Sequence, residues 1–148
     1  MKNRIKVILI ISLALLTLAC INPHYEHLRK GDSYADGGKL NEAIAEYTKA
    51  IELKPNFVEA YNNRASVYTE MGEYEKAVAD CDKILELGLN SPWVHYHRGM
   101  AHLEMGNYKL AIDDFTMANN ISTDSTFNKM VEQKIKAAES MMDKPKPQ

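Results

Sequence analysis

Cysteine is scarce in this chain of 148 residues, which contains only Cys20 and Cys81. Two cysteines cannot supply a framework of several disulfides, so a small cross-linked fold is excluded. A strong charge of either sign is also lacking, because 18 basic side chains stand against 20 acidic ones and the formal net charge is −2. A general nucleic-acid binder normally has a basic face, and this balance argues against one.

Motifs for catalysis and metal binding are missing as well. The sequence has no HExxH, no CxxC, no acidic calcium loop and no glycine-rich phosphate loop. His95 and His102 are seven residues apart and share a helix face, but a metal site there would still need a third ligand. We therefore expect no metal, no cofactor and no catalytic residue. The alternative is an accessory enzyme subunit that holds a metal at these histidines.

The longest apolar run, at 7–19, follows three basic residues and ends directly before Cys20. A charged stretch followed by a short apolar stretch is typical of a signal peptide. The run is also shorter than the roughly 20 residues that a spanning helix needs. Its end, Ala19-Cys20, resembles a bacterial lipobox, in which a small residue precedes the cysteine that is lipidated. The resemblance implies a signal peptide at 1–19 and a lipidated Cys20 at the start of a linker, 20–23.

The same resemblance implies a place in the bacterial cell envelope. Several acyl chains on one residue give stable membrane anchoring where a single chain would be marginal. Ile21 follows the cysteine where aspartate would favour the inner membrane, and by resemblance to enterobacterial sorting this favours the outer membrane. The alternative is an uncleaved signal anchor in which Cys20 has no role.

Beyond residue 23 the chain is organised by a repeat. The stretch Met71–Ala77 recurs at 105–111 and, in weaker form, at 37–43. The alanines stand at 43, 77 and 111, a constant step of 34 residues, and the glycines at 38, 72 and 106 keep the same step. A fixed period in this range indicates stacked supersecondary units.

The repeat divides the chain into units at 24–57, 58–91 and 92–125, each predicted to hold two helices with a glycine between them. A last amphipathic stretch, 126–142, is predicted to be a helix that caps the final apolar face, and 143–148 to be a solvated tail. Apolar residues at helical spacing predict the buried face of each second helix. One position of each first helix is always small, which we interpret as room for two helix backbones to approach: Gly31, Ala65 and Gly99.

The period and the small residues resemble the tetratricopeptide repeat (TPR) over 24–125. The resemblance implies an all-α, helix-turn-helix repeat solenoid of three units plus a capping helix. It also implies a non-enzymatic scaffold that binds a protein partner in a concave groove lined by the first helix of each unit. Carried over by position, the groove residues include Tyr25, Leu28, Glu59, Asn62, Ser66, Trp93, Tyr96, Met100 and Leu103.

The last four of these residues form a stripe along one helix, since they lie at i, i+3, i+7 and i+10. Aromatic anchors are favoured at protein interfaces, so one interpretation is a partner groove. The other is that the stripe packs on a neighbouring helix or on a second copy of the chain. A self-associating structural lipoprotein is therefore an alternative function.

One subclass of these repeats clamps the C-terminal carboxylate of chaperones with lysine, asparagine and arginine. At the matching positions only Asn63 fits that pattern, because the others hold Leu28, Asp32, Trp93 and His97. We therefore do not expect carboxylate-tail binding of that type. The expected partner is an envelope protein or peptide, with assembly of a pilus, secretin or outer-membrane complex as the more specific expectation.

Overall fold

The computed structural model describes residues 22–143, which form seven α-helices joined by short turns. Each helix packs against the next one along the chain, and α1 also contacts α3, as α3 contacts α5. The predicted all-α repeat fold is confirmed. The predicted signal peptide, Cys20 and residues 144–148 lie outside the described residues. The helices are α1 Pro23–Asp36, α2 Leu40–Leu53, α3 Val58–Glu70, α4 Tyr74–Glu86, α5 Pro92–Glu104, α6 Tyr108–Ile121 and α7 Ser125–Met142.

The periodic glycine makes the turn within each unit. Gly72, between α3 and α4, has φ +75°, a left-handed conformation that costs glycine little and other residues more. The next amide, Glu73 N–H, donates to the carbonyl of Tyr68 at 2.8 Å, which satisfies one of the free carbonyls at the helix end. Gly38 and Gly106 share the positive φ. The turn therefore recurs at the step of the sequence repeat.

The small position of each first helix lies against the second helix of the same unit. A Cβ on Gly99 would come within 2.8 Å of Cε1 of the Phe115 ring, and Gly31 stands in the same relation to the Tyr47 ring. What the glycines accommodate is an aromatic ring. The sequence predicted room for a close approach of two helices, but not that an aromatic ring would lie against each glycine.

The middle unit fills the corresponding space with side chains of different sizes. Its small residue is Ala65, and the residue at the register of Tyr47 and Phe115 is Cys81. Ala65 and Cys81 are both buried in one apolar cluster. A larger residue on the first helix is thus matched by a smaller one on the second, so that the interior stays filled.

An arginine of the first helix joins three helices in the second and third units. Arg98 of α5 binds Asp114 of α6 through two nitrogens, with Nη2 at 2.7 Å and Nε at 3.0 Å from its carboxylate oxygens. Its remaining nitrogen, Nη1, donates to Asp82 of α4, in the preceding unit, at 2.5 Å. One guanidinium therefore holds its own helix pair together and ties that pair to the unit before it.

Arg64 of α3 repeats this arrangement one unit earlier. It donates to Asp80 of α4 at 2.7 and 2.8 Å and to the Thr48 hydroxyl of α2 at 2.9 Å. Asp80 and Asp114 are both buried. A buried carboxylate is costly unless it is paired, and each of these is held by the arginine that faces it. Sequence reasoning did not identify this pair of contacts, which we call the arginine bridges.

The first unit lacks an arginine bridge. Lys30 stands at the register of Arg64, but it pairs with Glu26 of its own helix at 2.7 Å. Glu46, at the register of Asp80, instead receives Lys49 at 2.6 Å and His27 at 2.7 Å. Both hydrogen bonds lower the pKa of the Glu46 carboxyl, the one from Lys49 more than the one from His27. Among the described units the first has none before it, so a bridge there would have no second partner.

Helix α7 covers the end of the stack. It begins at the cap residue Asp124, whose carboxylate accepts from the amides of Thr126 and Phe127. Phe127 and Val131 are buried in one cluster with Phe115 of α6, so the predicted capping helix is present. Among residues 22–143 no helix is both long enough and apolar enough to cross a bilayer.

Candidate functional site

The first helices α1, α3 and α5 expose residues of the same register, and these form a continuous surface. Exposed or half-buried side chains recur there at the 34-residue step, three on each helix. We call this surface the first-helix face. Its residues are Tyr25, Asp32 and Asp36 on α1, Glu59, Ser66 and Glu70 on α3, and Trp93, Met100 and Glu104 on α5.

Trp93 is the largest exposed side chain of the first-helix face, with 53% of its surface accessible. Its ring is nevertheless supported on one side, because the Phe127 ring of α7 lies 4.7 Å away, centroid to centroid. The rings of Tyr96 and His97 lie at 5.8 and 6.0 Å. A ring that packs on the protein on one side and is open to solvent on the other is suited to anchor a partner, because little side-chain entropy remains to be lost on binding.

The other three residues of the predicted stripe lie deeper than Trp93. Tyr96, Met100 and Leu103 are half-buried and pack against the cluster formed by α6 and α7. Burial raises the pKa of the Tyr96 phenol. Packing on a neighbouring helix, one of the two arrangements that the sequence left open, is therefore present at these three residues. Their contact with a partner stays a prediction, and Trp93 is the member of the stripe with most surface free for one.

The partner-binding residues predicted in the first two units also differ in how far they are exposed. Leu28 is half-buried in the core between α1 and α2. Tyr25 is 43% exposed and leans edge-on against Phe57 at 4.9 Å. Glu59 and Ser66 are exposed, and Asn62 is half-buried. The partner-binding residues predicted from sequence thus include open positions of the face and positions that support it.

A cavity of ≈ 370 Å³ lies between α3 and α5 and opens beside Trp93. We call it the α3–α5 pocket. Its wall is mainly apolar, with polar groups at its edge. Burial lowers the pKa of the His97 imidazole in this wall, so His97 is uncharged at neutral pH. The lining residues are Val58, Glu59, Asn62, Asn63, Leu89, Ser91, Trp93, Val94 and His97.

Asn63, the one residue that matches a carboxylate clamp, is already engaged. Its side-chain amide donates to Asp32 Oδ1 at 2.8 Å, and the Tyr47 hydroxyl donates to the same oxygen at 2.9 Å. A carboxylate of the protein itself therefore occupies this donor. A terminal carboxylate placed beside it would meet a like charge, which is unfavourable.

All five charged residues of the first-helix face are acidic. They are distributed over the three helices and not gathered at one point. Arg29 is an exposed basic residue of α1, at the register of Asn63 and His97 and one turn from Tyr25. The ammonium of Lys54 lies 5.8 Å from the centroid of the Tyr25 ring. The face therefore combines two exposed aromatic rings with an excess of carboxylates: Asp32, Asp36, Glu59, Glu70 and Glu104.

The histidines noted in the sequence belong to the packing between α5 and α6. His95 is buried, with Nδ1 3.2 Å from Asp114 and Nε2 2.7 Å from the Asn90 side chain. Within residues 22–143 no three side chains of the metal-binding types converge. Cys81 is buried, and desolvation raises the pKa of its thiol to about 12.

Comparison with known families identifies the repeat. A model described as TPR repeat matches residues 31–72, and two described as tetratricopeptide repeat match 58–88 and 94–123. The tetratricopeptide repeat protein 36 of Caenorhabditis elegans is 51% identical over 37 residues, which are 25% of this chain and 21% of that protein. The chain thus spans about a fifth of this relative.

Solved structures share the fold over most of the chain. The TPR domain of Arabidopsis OM64 superposes with a TM-score of 0.72 at 26% identity, covering 78% of this chain and 95% of that domain. The first TPR of Spaghetti (RPAP3), solved with the HSP90 peptide SRMEEVD, superposes with a TM-score of 0.75 at 21% identity, covering 82% and 94%. At these identities the likeness concerns the architecture.

Proposed function

We propose that this chain, which carries tetratricopeptide repeats, is a non-catalytic scaffold that binds a segment of a partner protein on its first-helix face. The observation that carries the proposal is the exposure of Trp93 beside the α3–α5 pocket. Tryptophan is one of the residues enriched among the side chains that contribute most to binding at protein interfaces. Peptide binding by related repeat domains, such as the RPAP3 domain solved with an HSP90 peptide, supports the same role.

The packing of the stack supports a scaffold that is ordered before it binds. Arg64 and Arg98 connect successive helix pairs through bonds of 2.5 to 2.9 Å. Arg64 of α3 and Arg98 of α5 both also bind aspartates of α4, so the two helices that border the α3–α5 pocket are each tied to the helix between them. A surface that needs little reorganisation loses less free energy on binding.

We further propose that lipidated Cys20 tethers the scaffold to a membrane of the bacterial envelope. This part of the proposal rests on the N-terminal sequence alone. Only Asn22 separates Ile21 from α1, which begins at Pro23, so a lipid on Cys20 would hold the stack close to the bilayer. The tether would raise the effective concentration of the scaffold for membrane-bound partners. Assembly of a pilus, secretin or outer-membrane complex is the setting that we propose.

Photocross-linking in cells tests the scaffold. A photoreactive amino acid replaces Ser66, which is exposed on the first-helix face, or Ala79, which is exposed on α4. We expect one heterologous envelope protein to be captured from position 66 and not from position 79. Equal capture from both positions would contradict the proposal. Capture of the chain's own copies alone would replace it with self-association.

Metabolic labelling tests the tether. Cells are fed an alkyne-bearing fatty acid, and the protein is isolated and coupled to a fluorophore. We expect labelling of the natural protein and none of a Cys20→Ser variant, with Cys81→Ser as the matched control that keeps the label. A natural protein that stays unlabelled would exclude a lipid anchor at Cys20 and leave the scaffold proposal standing.

A further inference from the structure

We infer that the segment bound on the first-helix face is basic, and that the α3–α5 pocket takes one of its arginine or lysine side chains. The inference rests on the proposed function and adds the chemistry of the partner. Three observations lead to it: the composition of the pocket wall, the charges of the face around it and the state of the groups that would bind an acidic ligand.

The pocket wall joins an aromatic ring to a carboxylate. Trp93 presents an exposed ring on the α5 side, and Glu59, on the α3 side, is exposed at the same opening. A cation above a tryptophan face is attracted by the ring, and tryptophan is the best of the aromatic residues in this role. The methylene stem of an arginine or lysine suits the apolar part of the wall, while its charged end reaches the carboxylate.

Nothing on the pocket wall opposes a positive charge. The wall contains no lysine or arginine, and its one histidine, His97, is uncharged at neutral pH because burial lowers its pKa. Asn62 and Asn63 add side-chain oxygens that can accept a hydrogen bond. These are the groups expected around a cationic side chain.

The surroundings of the pocket carry more negative than positive charges. Asp32 and Asp36 lie on α1 at one side, Glu70 on α3 and Glu104 on α5 toward the far end of the helices. The basic residues on this side are Arg29, which is exposed, and Lys54, whose ammonium lies over the Tyr25 ring. A surface with an excess of one sign of charge attracts the opposite sign and slows the approach of its own. The face is therefore complementary to an extended segment with several basic residues, one of which enters the pocket.

An acidic segment fits less well. Asn63 of the pocket wall is the one residue that matches the donors of a carboxylate clamp, and Asp32 already accepts from its amide at 2.8 Å. Lys129 and Lys136 lie on the side of α7 away from buried Phe127 and Val131, and Lys134 is half-buried on the same side as Phe127 and Val131. None of the three lysines lines the pocket.

Fluorescence anisotropy on the full mature chain tests the inference. The probe is a labelled nonapeptide of alternating arginine and leucine. The controls are the same peptide with glutamate for arginine and the acidic peptide SRMEEVD, which the RPAP3 domain binds. We expect the basic peptide to bind, both controls to bind at least tenfold more weakly, and affinity to fall as salt rises from 0.05 to 0.3 M because ionic contacts are screened.

Two variants with matched controls locate the site. Glu59→Gln should weaken binding of the basic peptide about three- to tenfold. Glu75→Gln is the control and should leave binding unchanged, although both glutamates stand in the first turn of a helix. Trp93→Leu, which keeps an apolar side chain, should weaken binding of the basic peptide by a similar factor, because the face of the aromatic ring is lost. Thermal melts followed by circular dichroism confirm that each variant is folded.

The outcomes separate the inference from the proposed function. Failure of the basic peptide to bind, or binding that Glu59→Gln leaves unchanged, overturns the inference. Preferential binding of an acidic or uncharged peptide that depends on Trp93 also overturns it and keeps the scaffold. The scaffold itself is tested independently of peptide charge by the cross-linking experiment, in which position 66 must capture a heterologous partner that position 79 does not.

Discussion

At the residue scale the repeat is a set of matched sizes and charges. Glycine faces an aromatic ring in the first and third units, and alanine faces cysteine in the second. The periodic small residues could be predicted from the sequence because they recur at one step. What lies against them could not, since a periodic pattern identifies the face of a helix and not the side chain that reaches it.

The Gly99 position tests this complementarity. Gly99→Ala places a methyl group 2.8 Å from the Phe115 ring, which is fully buried and cannot move away without disturbing its neighbours. We expect the free energy of unfolding to fall by about 1–3 kcal/mol. Gly37→Ala is the control, because a Cβ there makes only ordinary contacts. Urea unfolding measures both, and equal effects would contradict the packing described.

The middle unit offers a complementary exchange. Cys81→Phe alone should overpack the interior against Ala65 and destabilise by about 1–3 kcal/mol. Adding Ala65→Gly reproduces the pair found in the third unit, so we expect the double variant to recover at least half of that loss. The coupling is read from the four unfolding curves of the double-mutant cycle. Strictly additive effects would show that the two residues do not share a space.

The Cys81 thiol reports on the same interior. Because burial raises its pKa to about 12, it stays protonated, and so unreactive, up to pH 9 in the folded protein. We expect a thiol reagent at pH 8 to modify Cys81 of a Cys20→Ser protein only after denaturation. Modification of the native protein on the timescale of a free thiol would contradict the burial.

At the element scale the arginine bridges connect the helix pairs. Their members recur at the repeat step, with Arg64 and Arg98 on first helices and Asp80 and Asp114 on second helices. That recurrence was a signal in the sequence, but polar residues on a helix usually face water. The burial of Asp114 emerges only when two helices are placed together.

Substitutions of Asp114 and of its neighbour Asp113 compare the loss of an arginine bridge with the loss of a surface charge. Asp114→Ala leaves Arg98 without its main partner and removes an acceptor from buried His95, so we expect a loss of about 3 kcal/mol. Asp113→Ala changes an exposed residue of the same helix and should have little effect. Chemical denaturation provides the comparison, and similar stabilities of the two variants would show the bridge to be unimportant.

The capping helix is the element that links stability to the site. Phe127 is buried against α6 and also supports the Trp93 ring at 4.7 Å. Phe127→Ala should destabilise by about 3 kcal/mol and shift the emission of Trp93, the one tryptophan of the chain, to longer wavelength. A variant that loses stability without any change in emission would contradict the contact between the two rings.

At the scale of the whole molecule the three repeats present a surface with an excess of carboxylates and two exposed aromatic residues, Tyr25 and Trp93. The fold, its period and the positions of the first helices were within reach of the sequence, because 34-residue spacing and helical periodicity are strong patterns. The depth of each site residue was not. Trp93, Tyr96 and Leu103 are equally apolar in the sequence, and only the placement of α7 leaves the first exposed and covers the other two in part.

Chemical-shift mapping on the ¹⁵N-labelled Cys20→Ser protein tests the central claim, which is that partners bind on the first-helix face. The alternating arginine–leucine peptide is added stepwise. The account predicts the largest shifts at the indole N–H of Trp93 and at the amides of Glu59, Asn62 and His97, with little change on α2, α4 and α6. Shifts confined to those second helices or to α7, with the Trp93 indole unmoved, would contradict it.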